Sequence, residues 1–251
     1  MLEWQVELGV DEAIGEAPVN RYEAAAKAPP IVKPAPVAET PKPGIVKPVE
    51  GPDPVEVAKD AALGASDLEA LRAALGAFSH CELKQGARNL VFADGNPQAR
   101  VMVIGEAPGR DEDIEGKPFV GRAGQLLDRM FDAIEMGRAA EGAASIYITN
   151  ILPWRPPQNR DPQPDEMAMM LPFVQRHVEL VNPDVLVLMG NISCLALLGR
   201  KGITRMRGTW TTALDRPALP MFHPAYLLRN PSAKRQAWAD LLALQARLRA
   251  G

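Results

Sequence analysis

Val101-Met102-Val103-Ile104, followed by Gly105-Glu106-Ala107-Pro108-Gly109, is the stretch that decides the fold of this chain. A short apolar run that stops at a glycine-bounded turn is typical of a strand buried on both faces of a parallel sheet. The sequence contains three further runs of this kind, Ile146-Tyr147-Ile148-Thr149, Val185-Leu186-Val187-Leu188 and Leu219-Pro220-Met221-Phe222. Because amphipathic segments separate the runs, we predict an α/β fold, a three-layer α/β/α sandwich with a central, mostly parallel four-stranded sheet.

The first quarter of the chain differs in composition from the rest. Residues from about Pro18 to Pro54 are rich in proline and alanine, which disfavours a packed core and indicates a linker. Ahead of it, residues 2–14 have the apolar spacing of a short helix that cannot bury its own apolar face. We therefore predict a short N-terminal helix at 1–15, a flexible linker at 16–60 and a folded domain at 61–251, with a helix start near Ser66.

Composition excludes several classes of protein. The 251 residues are 47% hydrophobic and 24% charged, which is ordinary for a globular protein. No stretch approaches the ~20 apolar residues that cross a membrane, and the first residues lack a basic segment followed by an apolar run, so we expect a cytoplasmic protein with no membrane partner. Two cysteines, Cys81 and Cys194, and three histidines show no paired ligand spacing, which predicts neither a disulfide framework nor a metal cofactor.

The charge distribution favours a nucleic-acid partner only in one region. The formal net charge of −3 argues against phosphate binding, because lysine and arginine make most phosphate contacts. From Arg200 to the C-terminus, however, many basic residues are opposed only by Asp215 and Asp240. This basic quarter is consistent with DNA binding, and equally with a solvated surface balanced by acidic helices elsewhere.

The residues that follow the four apolar runs carry the chemistry. In an open parallel sheet, ligands bind beyond the carboxyl ends of the strands. Glu106 follows the first run, Asn150 the second, Gly190-Asn191 the third and His223 the fourth. The fold thus brings a carboxylate, a carboxamide and an imidazole to one edge, which predicts a hydrolytic site. The sequence there lacks the Lys-Ser/Thr of a phosphate-binding P-loop and the Gly-x-Ser-x-Gly of a nucleophile elbow, so both alternatives lose support.

Four motifs in order give the chain a specific resemblance. They are Gly105 to Gly109 continuing through Glu112 into Gly116-Lys117-Pro118-Phe119-Val120-Gly121-Arg122-Ala123-Gly124, then Ile148-Thr149-Asn150, then Arg155-Pro156-Pro157-Gln158-Asn159-Arg160, then His223-Pro224-Ala225-Tyr226-Leu227-Leu228-Arg229. From about Ala77 to the C-terminus the chain resembles the family-four uracil-DNA glycosylases. The resemblance implies a DNA repair enzyme that flips uracil out of DNA and hydrolyses its N-glycosidic bond, leaving an abasic site.

The resemblance also implies roles for residues of the base pocket. Phe119 would stack on the uracil next to Gly105, while Asn150 would pair with uracil N3–H and O4 and so reject cytosine. His223 would donate a hydrogen bond to O2 of the departing uracil. The candidates for orienting water or stabilising the cationic sugar, which the sequence does not rank, are Glu106, Glu112 and Asn159.

Contacts with DNA are expected from Arg160, Leu227, Leu228 and Arg229. In the last motif, apolar side chains beside a basic one can fill the gap left by an extruded nucleotide while the arginine binds phosphate. Taken singly, each candidate residue also has an ordinary structural explanation, such as a core leucine or a turn asparagine. Their joint occurrence, in order and at strand ends, favours the functional interpretation.

The chain departs from that family at the iron–sulfur cluster, which the family normally binds with four cysteines. The matching positions here are Phe78, Cys81, Trp154 and Met170. We predict that these side chains pack together as a hydrophobic plug in place of the metal, so that the protein needs no cofactor. The segment after the second run also lacks the histidine of a related subgroup that traps DNA covalently.

Three hypotheses cover these observations. The first is a monofunctional glycosylase that acts as a monomer on uracil-containing DNA, since no lysine stands in a matching position to form a Schiff base. The second is a non-catalytic DNA-binding or scaffold protein with the same fold, and the third is a metal-dependent nucleotide hydrolase that uses the glycine loop. Intact pocket residues favour the first. The predicted helix at 1–15 is a candidate site for a protein partner.

Overall fold

The computed structural model describes residues 52–250. The helix predicted at 1–15 and the predicted linker as far as residue 51 lie outside the described residues. Between residues 52 and 250, none of the helices combines the length and apolar character needed to cross a bilayer.

Six strands and ten α-helices make up the described part of the chain. The strands are β1 (Asp94–Gly95), β2 (Val101–Gly105), β3 (Ile146–Asn150), β4 (Val185–Met189), β5 (Thr211–Ala213) and β6 (Arg216–Met221). The helices are α1 (Pro54–Leu63), α2 (Leu68–Ala77), α3 (Leu83–Gly86), α4 (Arg110–Glu115), α5 (Arg122–Asp132), α6 (Pro164–Val181), α7 (Gly190–Leu198), α8 (Ile203–Met206), α9 (Pro224–Arg229) and α10 (Lys234–Ala250).

The sheet has the order β1-β3-β2-β4-β6-β5. Its four central strands are parallel and correspond to the four apolar runs, with Val101 of β2 paired to Ile146 of β3 and to Val185 of β4. Every residue of β2, β3 and β4 is buried, as strands covered on both faces require. This register places the last residues of β2 and β3, Gly105 and Asn150, side by side.

The predicted α/β class is confirmed, but the sheet has six strands rather than the four that we predicted. The additional strands, β1 and β5, are antiparallel edge strands. They have only two and three residues, and β1 is Asp-Gly, so neither contains an apolar run that a sequence pattern would reveal.

The helices that accompany the sheet form two groups. Helices α1, α2 and α6 pack on one another, whereas α5, α9 and α10 form a second group. Helix α7 begins directly after β4 and packs against β2, β4 and β6. The predicted three-layer sandwich would have the two groups on opposite faces of the sheet.

Among the described residues the first helix, α1, begins at Pro54, so that residues 54–60 are helical although we predicted them as linker. The Asp53 side chain accepts a hydrogen bond from the Val55 amide, and Pro54 occupies the first turn, where a missing N–H costs nothing. Ala58 and Ala62 of α1 are buried against the core. Composition alone does not distinguish Pro54, at a helix start, from a linker proline. The next helix, α2, begins at Leu68, close to the helix start predicted near Ser66, and is capped by Asp67.

Candidate active site

A cleft of about 550 Å³ opens beyond the carboxyl ends of the parallel strands. Its walls come from the segments that follow β2, β3, β4 and β6, as expected for an open α/β sheet. The sequence-predicted residues that line it are Glu106, Glu112, Phe119, Asn150, Asn159, Arg160, His223 and Arg229. The fold thus brings all four motifs to one cavity.

Asn150 is the last residue of β3 and points into the cleft. It is 6% exposed, and its Oδ1 is buried without a hydrogen-bond partner among the described residues. A buried acceptor left unpaired destabilises the protein by roughly 1–3 kcal/mol, so a ligand that donates a hydrogen bond to this oxygen gains affinity. Gly105 makes room for this carboxamide, because a Cβ at Gly105 would lie 2.3 Å from Asn150 Oδ1 and 2.6 Å from the Phe119 ring.

Phe119 forms an aromatic wall of the same cavity. Its ring is stacked with that of His223, with centroids 5.4 Å apart and an interplanar angle of 29°. Its backbone has φ of 54°, the left-handed region that non-glycine residues rarely adopt. A strained backbone at a pocket residue persists only when its surroundings hold it there.

His223 is neutral, and its proton position is set by a backbone amide. Burial, followed by the positive charge of Arg229, lowers the pKa of His223 to about 4. Its Nδ1 accepts a hydrogen bond from the Ala225 amide at 3.2 Å. Because an accepting ring nitrogen carries no proton, the neutral ring carries its proton on Nε2. His223 can therefore donate one hydrogen bond from Nε2.

Glu106 is a carboxyl group that resists ionisation. Burial raises the pKa of Glu106 to about 7, the negative charge of Asp161 adds to the increase, and Lys201 opposes it. Near neutral pH this group therefore exists in both protonation states, which suits a general base or a group that stabilises a cation.

Glu112, by contrast, uses its carboxylate to bind backbone amides. Its Oε1 accepts hydrogen bonds from the Val120 and Gly121 amides (3.0 and 2.9 Å), and its Oε2 accepts one from the Gly109 amide (3.1 Å). The side chain thus ties the loop after β2 to the loop that carries Phe119.

The segment 156–160 is also locally constrained. Gln158 and Asn159 are consecutive residues in the left-handed region, with φ of 55° and 54°. Asn159 Oδ1 accepts a hydrogen bond from Arg155 Nε at 2.8 Å. Arg160 lines the cleft, but its guanidinium forms an ion pair with Glu166 through two hydrogen bonds (2.9 and 2.5 Å). Its charge is therefore partly neutralised.

The two leucines of the last motif differ in burial. Leu227 is 1% exposed and lies in a separate apolar cleft with Leu126 and Met130. As placed, Leu227 is a core residue, and the prediction that it fills a gap in DNA is wrong for this arrangement because it presents no surface to insert. Leu228 is half-buried and Arg229 is exposed.

Comparisons with known proteins agree with this geometry. The family model described as the uracil DNA glycosylase superfamily matches residues 92–242. The chain belongs to this superfamily. It is 38% identical over 164 residues to the type-4 uracil-DNA glycosylase of Saccharolobus solfataricus, an alignment that covers 62% of this chain and 74% of that protein. It is 41% identical over 155 residues to the type-4 uracil-DNA glycosylase of Thermotoga maritima, an alignment that covers 61% of this chain and 78% of that protein.

The four-cysteine cluster implied by the resemblance does not fit the residues present. Of the four positions that the resemblance assigns to the cluster, three carry Phe78, Trp154 and Met170, which supply no thiolate, and the fourth is Cys81. All four side chains are buried, with exposures of 4% or less, and Phe78 packs edge-on against Phe173. Within the described range, no three histidine, cysteine or carboxylate side chains are grouped so as to hold a metal ion.

Sequence reasoning missed two charged residues of the cleft, and it expected a site role for an asparagine whose side chain instead caps a helix. Asp161 and Lys201 line the cavity and act on Glu106 through their charges. Lys201 lies between α7 and α8 and belongs to no motif, so only its place in the basic C-terminal quarter signalled it. Asn191, a strand-end candidate, also lines the cleft, but its Oδ1 accepts hydrogen bonds from the Gly202 and Ile203 amides at the start of α8.

Proposed function

We propose that this protein is a monofunctional uracil-DNA glycosylase, which binds uracil flipped out of DNA and hydrolyses its N-glycosidic bond to leave an abasic site. The observation that carries the proposal is the unpaired, buried Oδ1 of Asn150, in a cleft that Phe119 and His223 also line, in a chain that belongs to the uracil-DNA glycosylase superfamily. Relatives that are 31–41% identical to this chain over the aligned residues bear the name type-4 uracil-DNA glycosylase.

Selectivity for uracil follows from the donor and acceptor pattern of Asn150. Its Oδ1 accepts a hydrogen bond from uracil N3–H, and its amide nitrogen donates to uracil O4. Cytosine has an unprotonated N3 and an amino group at position 4, so it would leave both groups of Asn150 without partners in a buried site. Phe119 supplies the face on which the flipped base stacks.

Departure of the base is assisted by His223. As the N-glycosidic bond breaks, negative charge accumulates on the uracil ring, including O2. The Nε2–H of neutral His223 donates a hydrogen bond to that oxygen and stabilises the anion. A neutral donor stabilises the charge without having to lose a proton.

The sugar loses electron density at the same time. Glu106 is the candidate that the geometry favours for orienting water and stabilising the cationic sugar. Glu112 is bound by three amides, and the Asn159 carboxamide oxygen is bound by Arg155. Glu106 accepts no hydrogen bond from such partners among the described residues, and its ionised form can orient water and stabilise a cation. Glu112 then acts by positioning loops.

DNA is held by charges on the rim of the cleft. Arg229 and Lys201 are exposed cations there, whereas Arg160 is paired with Glu166. We propose that Leu228, rather than Leu227, contacts the bases next to the flipped nucleotide. We also propose that Phe78, Cys81, Trp154 and Met170 replace an iron–sulfur cluster by packing. The further proposals of a cytoplasmic monomer, and of a protein partner for residues 1–15, rest on the sequence alone.

The test is cleavage of a labelled oligonucleotide that contains one uracil, incubated with the protein in EDTA and then treated with alkali. We expect strand breaks only after alkali, with the single-turnover rate reduced at least ~100-fold in Asn150→Asp and in His223→Ala. Asn182→Asp, the same change at the opposite edge of the sheet, is the control and should keep the full rate. If the wild-type protein releases no uracil from U·G, U·A or single-stranded DNA but still binds DNA, the scaffold hypothesis replaces this one.

A further inference from the structure

Arg138 reaches the pocket from a loop outside the four motifs. Its Nη1 donates a hydrogen bond to the Pro118 carbonyl (2.9 Å), and its Nη2 donates one to the Phe119 carbonyl (2.8 Å). A guanidinium is a planar fork that binds two acceptors at once, and its charge makes such bonds stronger than neutral ones. The two carbonyls lie on either side of the Phe119 Cα, so the fork fixes the backbone conformation of this one residue.

This conformation is the one that requires support. Phe119 has the left-handed φ of 54°, which an L-residue adopts at a cost. On the following peptides, the Val120 and Gly121 amides donate to the Glu112 carboxylate. A cation therefore holds the carbonyls of the turn, and an anion holds its amides. We call this arrangement, Arg138 and Glu112 around residues 118–121, the Phe119 clamp.

Arg138 is itself held in place. Its Nε donates to Asp128 Oδ1 and its Nη1 to Asp94 Oδ2, both at 2.9 Å, and its side chain is only 16% exposed. The preceding residue, Gly137, exchanges backbone hydrogen bonds with Ala144 (3.0 Å) and Ile146 (3.1 Å) at the start of β3. The loop that carries the guanidinium is thus anchored to the same strand that ends in the uracil-reading asparagine.

We propose that Arg138 is a positioning residue for uracil: by holding the two carbonyls that flank Phe119, it fixes the plane of the ring on which the flipped base stacks. The inference rests on the proposed function. A ring displaced by about 1 Å leaves the DNA contacts intact but misplaces uracil relative to Asn150 and His223. We expect Arg138→Gln to lower the single-turnover rate ~30-fold and to weaken inhibition by free uracil, with unchanged binding to uracil-free DNA.

Two variants separate positioning from stability. Arg176 is a matched arginine, 25% exposed, whose Nε and Nη2 donate to the Ala65 carbonyl and whose Nη1 donates to Glu179. It does not line the cleft, so Arg176→Gln should lower the free energy of unfolding without lowering the rate. Asp128→Asn weakens one ion pair of Arg138 but keeps its hydrogen bonds to both carbonyls. This variant should therefore have the wild-type rate and the wild-type inhibition constant for free uracil.

A double-mutant cycle with Phe119→Leu tests whether Arg138 acts through the ring. The rate and the inhibition constant of free uracil are measured at a temperature at which urea unfolding curves show every variant to be folded. Arg138→Gln should lower the rate ~30-fold in the wild-type background but ~2-fold or less beside Phe119→Leu. Equal factors in both backgrounds, or the same loss in Arg176→Gln, would overturn the inference. Absence of uracil release by the wild-type protein would refute the proposed function instead.

Discussion

Replacing Glu106 by glutamine should make the protein more stable at alkaline pH and less active. The pKa of Glu106 is raised from 4.5 to about 7, chiefly by burial. Between these two pH values the folded protein keeps a proton that the unfolded chain has released, so stability falls as the pH rises. The loss is complete above the folded pKa, where the ionised carboxylate is buried without a partner that compensates for its lost hydration.

The size of the effect follows from the shift. A change from 4.5 to about 7 corresponds to at most about 3 kcal/mol, since one pKa unit is worth about 1.4 kcal/mol. Glutamine has a similar shape and no charge, so Glu106→Gln should exceed the wild type in unfolding free energy by up to about 3 kcal/mol near pH 8.5 and by almost nothing near pH 4. Burial is incomplete, and the measured gain will fall below this ceiling.

Urea unfolding at both pH values measures the gain in unfolding free energy of Glu106→Gln. Single-turnover uracil release across the pH range measures its loss of activity. The wild-type rate should rise with pH through about 7 as the carboxylate forms, while the Glu106→Gln rate stays low and flat. Glu141→Gln, at an exposed carboxyl group, controls for the loss of one negative charge. The reasoning is refuted if Glu106→Gln gains no more stability at high pH than this control does.

Three further predictions concern the pocket, the positions that the resemblance assigns to a cluster, and the two leucines of the last motif. Gly105→Ala should lower the single-turnover rate ~100-fold, because the added Cβ would lie 2.3 Å from Asn150 Oδ1, whereas Gly86→Ala, with nothing within 4 Å, should leave the rate unchanged. Cys81→Ala should keep activity within ~2-fold, and purified wild-type protein should contain no iron by elemental analysis; stoichiometric iron would contradict the packing proposal. Leu227→Ala should lower the free energy of unfolding by roughly 2–4 kcal/mol in urea unfolding. Leu228→Ala should reduce activity on duplex DNA more than on single strands. Equal losses on both substrates would exclude Leu228 as the residue that contacts the bases next to the flipped nucleotide.

The four parallel strands could be predicted from the sequence because their burial on both faces leaves continuous apolar runs. The pocket could be predicted for a related reason: residues that end parallel strands must meet at one edge, so Glu106, Asn150 and His223 converge. The edge strands β1 and β5 were missed because a strand of two or three residues is too short to show a hydrophobic pattern. Leu227 was misassigned because a motif does not show which face of a short helix is buried.

Arg138 could not be found by sequence reasoning for a different reason. Its role depends on the backbone carbonyls of Pro118 and Phe119, and carbonyls leave no trace in a sequence. Glu112 lies within a motif, and its place there suggested a catalytic role. The sequence does not show whether a glutamate carboxylate binds water or backbone amides. Side chains that position a backbone are found only once the backbone is known.

The same backbone fixes the base pocket independently of the positions that the resemblance assigns to an iron–sulfur cluster. Trp154, one of these positions, lies four residues after Asn150. The chain between them is pinned by main-chain bonds: the Ile151 amide donates to the Gly105 carbonyl and the Leu152 amide to the Glu106 carbonyl, both at 3.0 Å. These bonds do not depend on what Trp154 contacts. The buried side chains of Phe78, at the end of α2, and Met170, in α6, can therefore contribute stability to these helices, while the position of the Asn150 carboxamide is set by the end of β2.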